Sequence, residues 1–191
     1  MELDEIRNSL KEVLSNKRYL HSVGVEEVAC DMALLHGYDM EKAKLAGILH
    51  DCAKYLSDQQ LLEECIKYCL PVTDIERKCP SLLHAKVGAV YARVKYDIQD
   101  EQIISAIHYH TTGRPAMSLL EKIIYTADYI EPYREALPRI MEIRKMAYTD
   151  IDRAVEMVAE NVMDHLQKSG GDFDALTMET YHYYRDIVSI R

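Results

Sequence analysis

The chain of 191 residues is 48% hydrophobic and 29% charged, a composition typical of a soluble globular protein with a core. Its net charge of −9 repels polyanions, so nucleic acid is not an expected partner. No apolar run reaches the roughly 20 residues needed to cross a bilayer, and the charged N-terminus does not read as a signal peptide, so no membrane partner is expected either.

Apolar residues recur at three- and four-residue steps along most of the chain, a period typical of amphipathic helices. In chain order, the predicted helices cover residues 3–14, a segment ending at His36-Gly37, and then 40–51, 58–69, 80–95, 100–110, 118–130, 139–147, 151–168 and 174–190. Ser57, Ser118 and Asp150 stand where helix caps are expected. No segment alternates with period two for long enough to indicate a strand. The sequence therefore predicts an all-α fold.

Five cysteines are present, an odd number without a CxxC pair. In the absence of a signal peptide they indicate reduced thiols and a cytoplasmic location. Cys65 and Cys69 share a helix face, a spacing that favours packing over metal binding.

Histidine and aspartate residues stand at apolar helix positions. His50 and Asp51 end the apolar run LAGILHD, where burying an unpartnered ionised pair would be costly. Taken alone, this dipeptide is more typical of a surface turn than of a metal site. Similar residues lie on four other predicted helices, however: His21, His84, His110 and Asp128. Helical bundles build metal sites from inward-facing side chains in this way, and imidazole with carboxylate suits divalent transition metals.

The order of these residues resembles that of the HD-domain superfamily of metal-dependent phosphohydrolases. Five local motifs are similar to those of the YqeK family: HSVGV (21–25), LHDCAK (49–54), HAKVGA (84–89), HTTG (110–113) and KIIYTADYIEPYR (122–134). The resemblance covers roughly residues 17–180. It implies one HD-domain helical bundle over residues 1–191, with the core motifs in about 17–134. The C-terminal helices, 139–190, would complete the bundle and the nucleotide pocket.

The resemblance also implies a metal centre. Its ligands would be His21, His50, Asp51 and Asp128, with Asp51 bridging to a second metal position at His84 and His110. Those two histidines would face the phosphates if only one metal is bound. The family points to iron as one or two ions, although imidazole and carboxylate also admit manganese, cobalt or zinc.

The activity that the family implies is symmetrical hydrolysis of diadenosine tetraphosphate to two ADP. The residues expected to take part in catalysis are Asp51, Lys54, His84 and His110. Those expected to contact nucleotide or phosphate are His21, Asp51, Lys54, His84, His110, Thr111, Asp128, Arg134, Gly171 and Phe173. Tyr129 and Tyr133 are the aromatic residues nearest the motifs and could stack on adenine. Leu176 departs from the family pattern, which has proline there.

Two other functions remain open from the sequence. One is a different HD phosphohydrolase, such as a nucleotidase or a cyclic-nucleotide phosphodiesterase. The other is a nucleotide-sensing HD module with little turnover, against which the complete ligand set argues. His36, His108, His165 and His182 are given no role at the site, and the sequence leaves monomer or homodimer open.

Overall fold

The computed structural model describes residues 1–134, 137–169 and 174–190, and the regular elements among these residues are helices, with no strand. The helices are α1 (Leu3–Val13), α2 (Asn16–Leu35), α3 (Met40–Leu49), α4 (Asp58–Lys67), α5 (Asp74–Lys78), α6 (His84–Val94), α7 (Glu101–Tyr109), α8 (Leu119–Ile130), α9 (Ile140–Thr149), α10 (Ile151–Ser169) and α11 (Ala175–Ser189). The prediction of an all-α fold is confirmed.

The predicted helices depart most from the structure at three places. The sequence prediction omitted α5, whose five residues are too few to show a period and whose start is marked by the capping hydroxyl of Thr73. It extended α3 to Asp51, whereas the helix ends at Leu49 and continues as tight turns. It also began one helix at Pro80, where a 3₁₀ turn over Pro80–Leu83 precedes α6. The predicted caps are confirmed: Ser57 and Ser118 form capping boxes, and Asp150 accepts a hydrogen bond from the Arg153 N–H group.

The centre of the bundle is α8. Nine of its twelve residues are buried, the pattern of a helix surrounded by others rather than lying on the surface. It packs against α2, α3, α7, α9 and α10. A polar side chain near the C-terminal end of α8 is therefore placed in the middle of the molecule.

Close approach of α2 and α3 depends on Gly47. A Cβ atom at Gly47 would lie 2.8 Å from the Cα atom of Glu26, so a larger residue would push the two helices apart. The approach brings the end of α3 beside the N-terminal half of α2.

The last helix, α11, is fastened to the loop after α7. Gly113 in that loop has φ +64°, and a Cβ atom there would lie 2.6 Å from Cγ2 of Thr180. The Thr180 hydroxyl donates to the Thr112 carbonyl at 3.0 Å, and the Tyr184 hydroxyl accepts from the Met117 N–H group at 2.9 Å. Among the described residues, no helix has the combination of length and apolarity that crossing a membrane requires.

Candidate active site

Six side chains from five parts of the chain meet beneath one cavity: His21 of α2, His50 and Asp51 after α3, His84 at the start of α6, His110 after α7 and Asp128 of α8. Four of them stand at helix ends: His50, Asp51 and His110 follow a helix, and His84 begins one. The structure thus brings together all six residues named from the sequence as candidate metal ligands.

Asp51 lies among three histidines, with two facing one of its carboxylate oxygens and one facing the other. Its Oδ1 atom is 3.1 Å from Nε2 of His84 and 3.6 Å from Nε2 of His110. Its Oδ2 atom is 3.9 Å from Nε2 of His50. On the far side of His50, the Oδ1 atom of Asp128 lies 3.8 Å from the same nitrogen and 3.1 Å from Nε2 of His21. The two carboxylates therefore flank His50.

Three of the histidines are oriented by the same kind of local hydrogen bond. Each places its Nδ1 atom against the backbone carbonyl three residues earlier: His50 on Gly47 at 2.7 Å, His110 on Ile107 at 2.7 Å and His84 on Ser81. A carbonyl can only accept, so each Nδ1 carries a proton, and in a neutral ring the Nε2 atom keeps its lone pair. All three Nε2 atoms point into the cluster.

His21 is oriented by a carboxylate instead. Its Nδ1 atom donates to Oε1 of Glu131 at 3.0 Å, and the other oxygen of Glu131 accepts from the Tyr133 N–H group at 2.6 Å. A histidine held by a carboxylate behind it is typical of metal ligands. Gly24 is needed here, because a Cβ atom would lie 2.7 Å from Oε2 of Glu131.

The protonation states fit a cationic occupant. Burial lowers the pKa of His50 to about 3 and also lowers the pKa of His84, so both imidazoles are neutral at pH 7. Burial opposes ionisation of Asp51, but His50, His110 and His84 hold the pKa of that carboxyl well below its usual range. Neutral nitrogen and ionised oxygen donors are the set that divalent transition metals prefer.

Contacts within the cluster favour the same conclusion. The Nε2 atoms of His84 and His110 lie 3.1 Å apart, and in the neutral tautomers neither carries a proton to share. The two lone pairs then repel each other, and a cation bound among these nitrogens and Asp51 would relieve this repulsion. At the other end, burial lowers the pKa of His21, but Asp128 and Glu131 outweigh this effect and raise it. A proton and a metal ion are alternatives at that nitrogen.

The cluster forms the floor of a cavity of about 830 Å³, which cations also line. Lys54 places its Nζ atom 3.1 Å from both ring nitrogens of His84, and burial lowers the pKa of Lys54 although Asp51 opposes the shift. The Arg134 guanidinium contacts Oδ1 of Asp128 at 2.8 Å, and Thr111 lines the wall. Each of these three residues was named from the sequence as a phosphate contact, and each faces this cavity.

A smaller, more apolar cavity of about 490 Å³ adjoins the first. The two share His110, Thr111, Asp128, Arg134 and Leu137. The smaller one is also lined by residues of α8 and α10, among them Tyr125, Tyr129, Val158, Asn161 and His165. The Tyr125 hydroxyl is buried there without a hydrogen-bond partner among the described residues. Tyr133 lines the larger cavity instead.

A family model described as HD domain matches residues 18–133 of the chain. The chain belongs to the HD-domain family. It is 39% identical to a Bacillus subtilis protein over 96% of this chain and 97% of the relative, and 43% identical to one from Halalkalibacterium halodurans over 91% of each. Both relatives are named symmetrical bis(5'-nucleosyl)-tetraphosphatase, so the chain is a YqeK-type HD protein, as its motifs predicted.

A solved structure agrees in fold with this HD protein. A crystal structure from Clostridium acetobutylicum, described as a predicted HD superfamily hydrolase involved in NAD metabolism, superposes with a TM-score of 0.94. The match covers 100% of this chain and 99% of the Clostridium chain, and the two sequences are 39% identical.

Sequence reasoning missed three residues at the site of this HD protein. Glu131 lies within a quoted motif, and its position directly after a buried helix was the available signal. Arg18 contacts Asp51 and precedes His21 by one helical turn. His165 lines the smaller cavity, although it was given no role. Gly171 and Phe173, predicted to contact the nucleotide, lie outside the described residues.

Proposed function

We propose that this HD protein is a metal-dependent hydrolase that cleaves diadenosine tetraphosphate symmetrically into two ADP. The observation that carries the proposal is the cluster itself: four imidazoles, whose Nε2 atoms point inward, and two carboxylates lie beneath a cation-lined cavity. The names of the Bacillus and Halalkalibacterium relatives support the substrate and the symmetry of the cleavage.

The proposed metal ligands are His21, His50, Asp51 and Asp128, with Asp51 shared with a second position at His84 and His110. Iron is the proposed metal, bound as one or two ions. When bound, a divalent metal lowers the pKa of water and polarises a phosphoryl oxygen as a Lewis acid. The chain's contribution is to present the donors already oriented, since the Nδ1 contacts hold the imidazole rings in place.

The proposed phosphate contacts are Lys54, Thr111 and Arg134. Arg134 presents a planar fork of N–H donors that suits phosphate oxygens, and its contact with Asp128 positions this fork at the border of the two cavities. Lys54 is buried enough that a phosphate would be a favourable partner for its ammonium group. The hydroxyl of Thr111 adds a neutral donor at the same border.

The smaller cavity is the proposed site of one nucleoside. Its volume lies in the range of small-molecule sites, and the surface that faces it is mostly apolar, as in such sites, although polar and charged side chains also line it. The proposed polar contacts for a base or ribose are the Asn161 amide and the Tyr125 hydroxyl, which has no hydrogen-bond partner among the described residues. Gly171 and Phe173 stay proposed as part of its rim.

Hydrolysis in oxygen-18 water tests the proposed reaction. Metal-loaded protein is incubated with diadenosine tetraphosphate, the products are separated by chromatography, and mass spectrometry measures their oxygen-18 content. ADP should be the sole nucleotide product, with the heavy oxygen on half of the ADP molecules at the terminal phosphate. AMP together with ATP would refute symmetrical cleavage, and Asp51→Asn serves as the inactive control.

NAD belongs in the same assay, because the Clostridium structure is described as involved in NAD metabolism. NAD has two phosphates, so it offers no bond that releases a nucleoside diphosphate from each side. We expect no turnover of NAD. Preferred cleavage of NAD would replace the proposed substrate while leaving the metal site in place.

We further propose that the protein acts in the cytoplasm on free nucleotides rather than on nucleic acid. The whole chain would function as one HD domain, since α10 and α11 line or support the same cavities as the motif helices. A homodimer is compatible with this arrangement, and sedimentation of the purified protein measures it directly.

A further inference from the structure

We infer that Arg18 binds the phosphates of the second nucleotide, on the Asp51 side of the cluster and across from Arg134. The inference rests on the proposed function, because only a substrate with two nucleotide halves needs a phosphate contact on both sides of the reacting bond. It adds a specificity residue that the sequence motifs did not indicate.

The position of Arg18 follows from α2. Arg18 precedes His21 by three residues, so the two side chains share one face of the helix. The Nη1 atom of Arg18 lies 3.5 Å from Oδ2 of Asp51, and Arg18 lines the larger cavity together with Lys54 and Arg134. The guanidinium therefore reaches the cluster from the start of α2.

Two arginines thus stand at the two carboxylates. Arg134 contacts Asp128 and borders both cavities, whereas Arg18 contacts Asp51 and borders only the larger one. If one nucleoside occupies the smaller cavity, its phosphates pass Arg134 to reach the cluster. The other half of the molecule must then leave through the larger cavity, where Arg18 is the guanidinium along its path.

A structural role explains Arg18 poorly. Its ion pair with Asp51 is long, and 44% of the Arg18 side chain is exposed, so the pair contributes little stability. By contrast, Arg114 forms a two-pronged pair with the buried Glu121 at 2.8 and 2.9 Å. Among the described contacts, Asp51 is the one side-chain partner of the Arg18 guanidinium, which has five N–H groups to donate. Most of this donor capacity remains for an anion.

Titration of the metal-loaded protein with ADP tests the inference without turnover. We expect the wild-type chain to bind two ADP molecules, one for each half of the substrate. Arg18→Ala should weaken one of the two sites by about 10- to 100-fold, the effect of losing a charge-assisted contact. Arg134→Ala should weaken the other site. The matched control is Arg93→Ala, which removes an equally exposed guanidinium paired with Glu101 far from the cavity.

Activity and metal content complete the test. In Arg18→Ala, kcat/KM for diadenosine tetraphosphate should fall by about 10- to 100-fold while the metal content stays that of wild type. Unchanged binding of both ADP molecules, or loss of metal from this variant, would overturn the inference. Arg18→Lys keeps the positive charge but lacks the planar guanidinium, so its kcat/KM should lie between those of wild type and Arg18→Ala.

The two proposals can fail separately. If wild-type protein hydrolyses diadenosine tetraphosphate to ADP but binds one ADP that Arg18→Ala does not affect, the inference on Arg18 is overturned and the proposed function stands. If no ADP is released from diadenosine tetraphosphate, the proposed function fails, and the ADP titration still reports on Arg18.

Discussion

Replacing Glu131 by Gln tests whether the carboxylate behind His21 fixes the orientation of that imidazole for metal binding. Glu131 accepts two hydrogen bonds at once, one from Nδ1 of His21 and one from the Tyr133 N–H group. A glutamine has one oxygen, so it can satisfy only one of these donors. If its oxygen faces Tyr133, its amide faces His21 and favours a proton on Nε2, the atom that points into the cluster.

The size of the effect follows from this geometry. Removal of a carboxylate that orients a metal-bound histidine costs about 10- to 100-fold in metal affinity, which is about 1.4–2.7 kcal/mol. Glu131 is only 1% exposed, so water cannot replace its contact with His21 and the upper part of that range is expected. Gly24→Ala should act in the same direction without changing charge, because the new methyl group would displace the carboxylate.

Competition with a fluorescent chelator measures the metal affinity of each variant. The control is Glu121→Gln, which alters an equally buried carboxylate in the first turn of α8 that pairs with Arg114 instead of His21. Glu121→Gln should lower the melting temperature yet keep wild-type affinity for metal. Wild-type affinity in Glu131→Gln would show that His21 is held by other contacts, and equal losses in both variants would point to a general packing defect.

Other predictions address the rest of the site. Asp51→Asn should abolish turnover and lower metal content while circular dichroism stays that of wild type; a normal rate would show that the centre is misassigned. Lys54→Ala and Arg134→Ala should keep their metal by elemental analysis and lose about 10- to 100-fold in rate, or about 1.5–3 kcal/mol of transition-state stabilisation. Metal loss from Lys54→Ala would indicate a structural role for that lysine. After removal of metal by chelation, stability to urea should fall as the pH is lowered from 6.5 to 4. In the folded chain the pKa of His50 is about 3, so below pH 6.5 this imidazole binds a proton only in the unfolded chain. The free energy of unfolding therefore falls by up to about 1.4 kcal/mol for each pH unit. His50→Gln should flatten that slope, and equal slopes would contradict the assignment.

Much of this architecture could be predicted because the signals are local. Helical period and capping residues are properties of neighbouring positions, so most of the helices were placed to within a few residues. The motifs ordered six candidate ligands that the structure brings together. The short α5 was not predicted because five residues are too few to show a helical period, and its cap at Thr73 is a weak signal by itself.

Glu131 and Arg18 were not predicted as site residues, for a different reason. Their long-range contacts depend on which helices pack together. Glu131 reaches His21 across 110 residues of sequence, and Arg18 reaches Asp51 across 33. Both contacts follow from the packing of α2 against α3 and α8, which close approach at Gly47 and Gly24 permits. A single sequence contains no direct record of such pairs.

The charge of the chain sets a final constraint on how it can hold a tetraphosphate. The larger cavity is lined by four cationic side chains, Lys17, Arg18, Lys54 and Arg134, and by three carboxylates, Asp51, Asp128 and Glu131. Without counting the imidazoles, the lining therefore carries an excess of only one positive charge, within a protein of net charge −9. This excess is small against the several negative charges of the substrate, so metal and arginines must act together at short range. ADP affinity should therefore depend strongly on bound metal, and titrations with ADP before and after chelation measure this dependence.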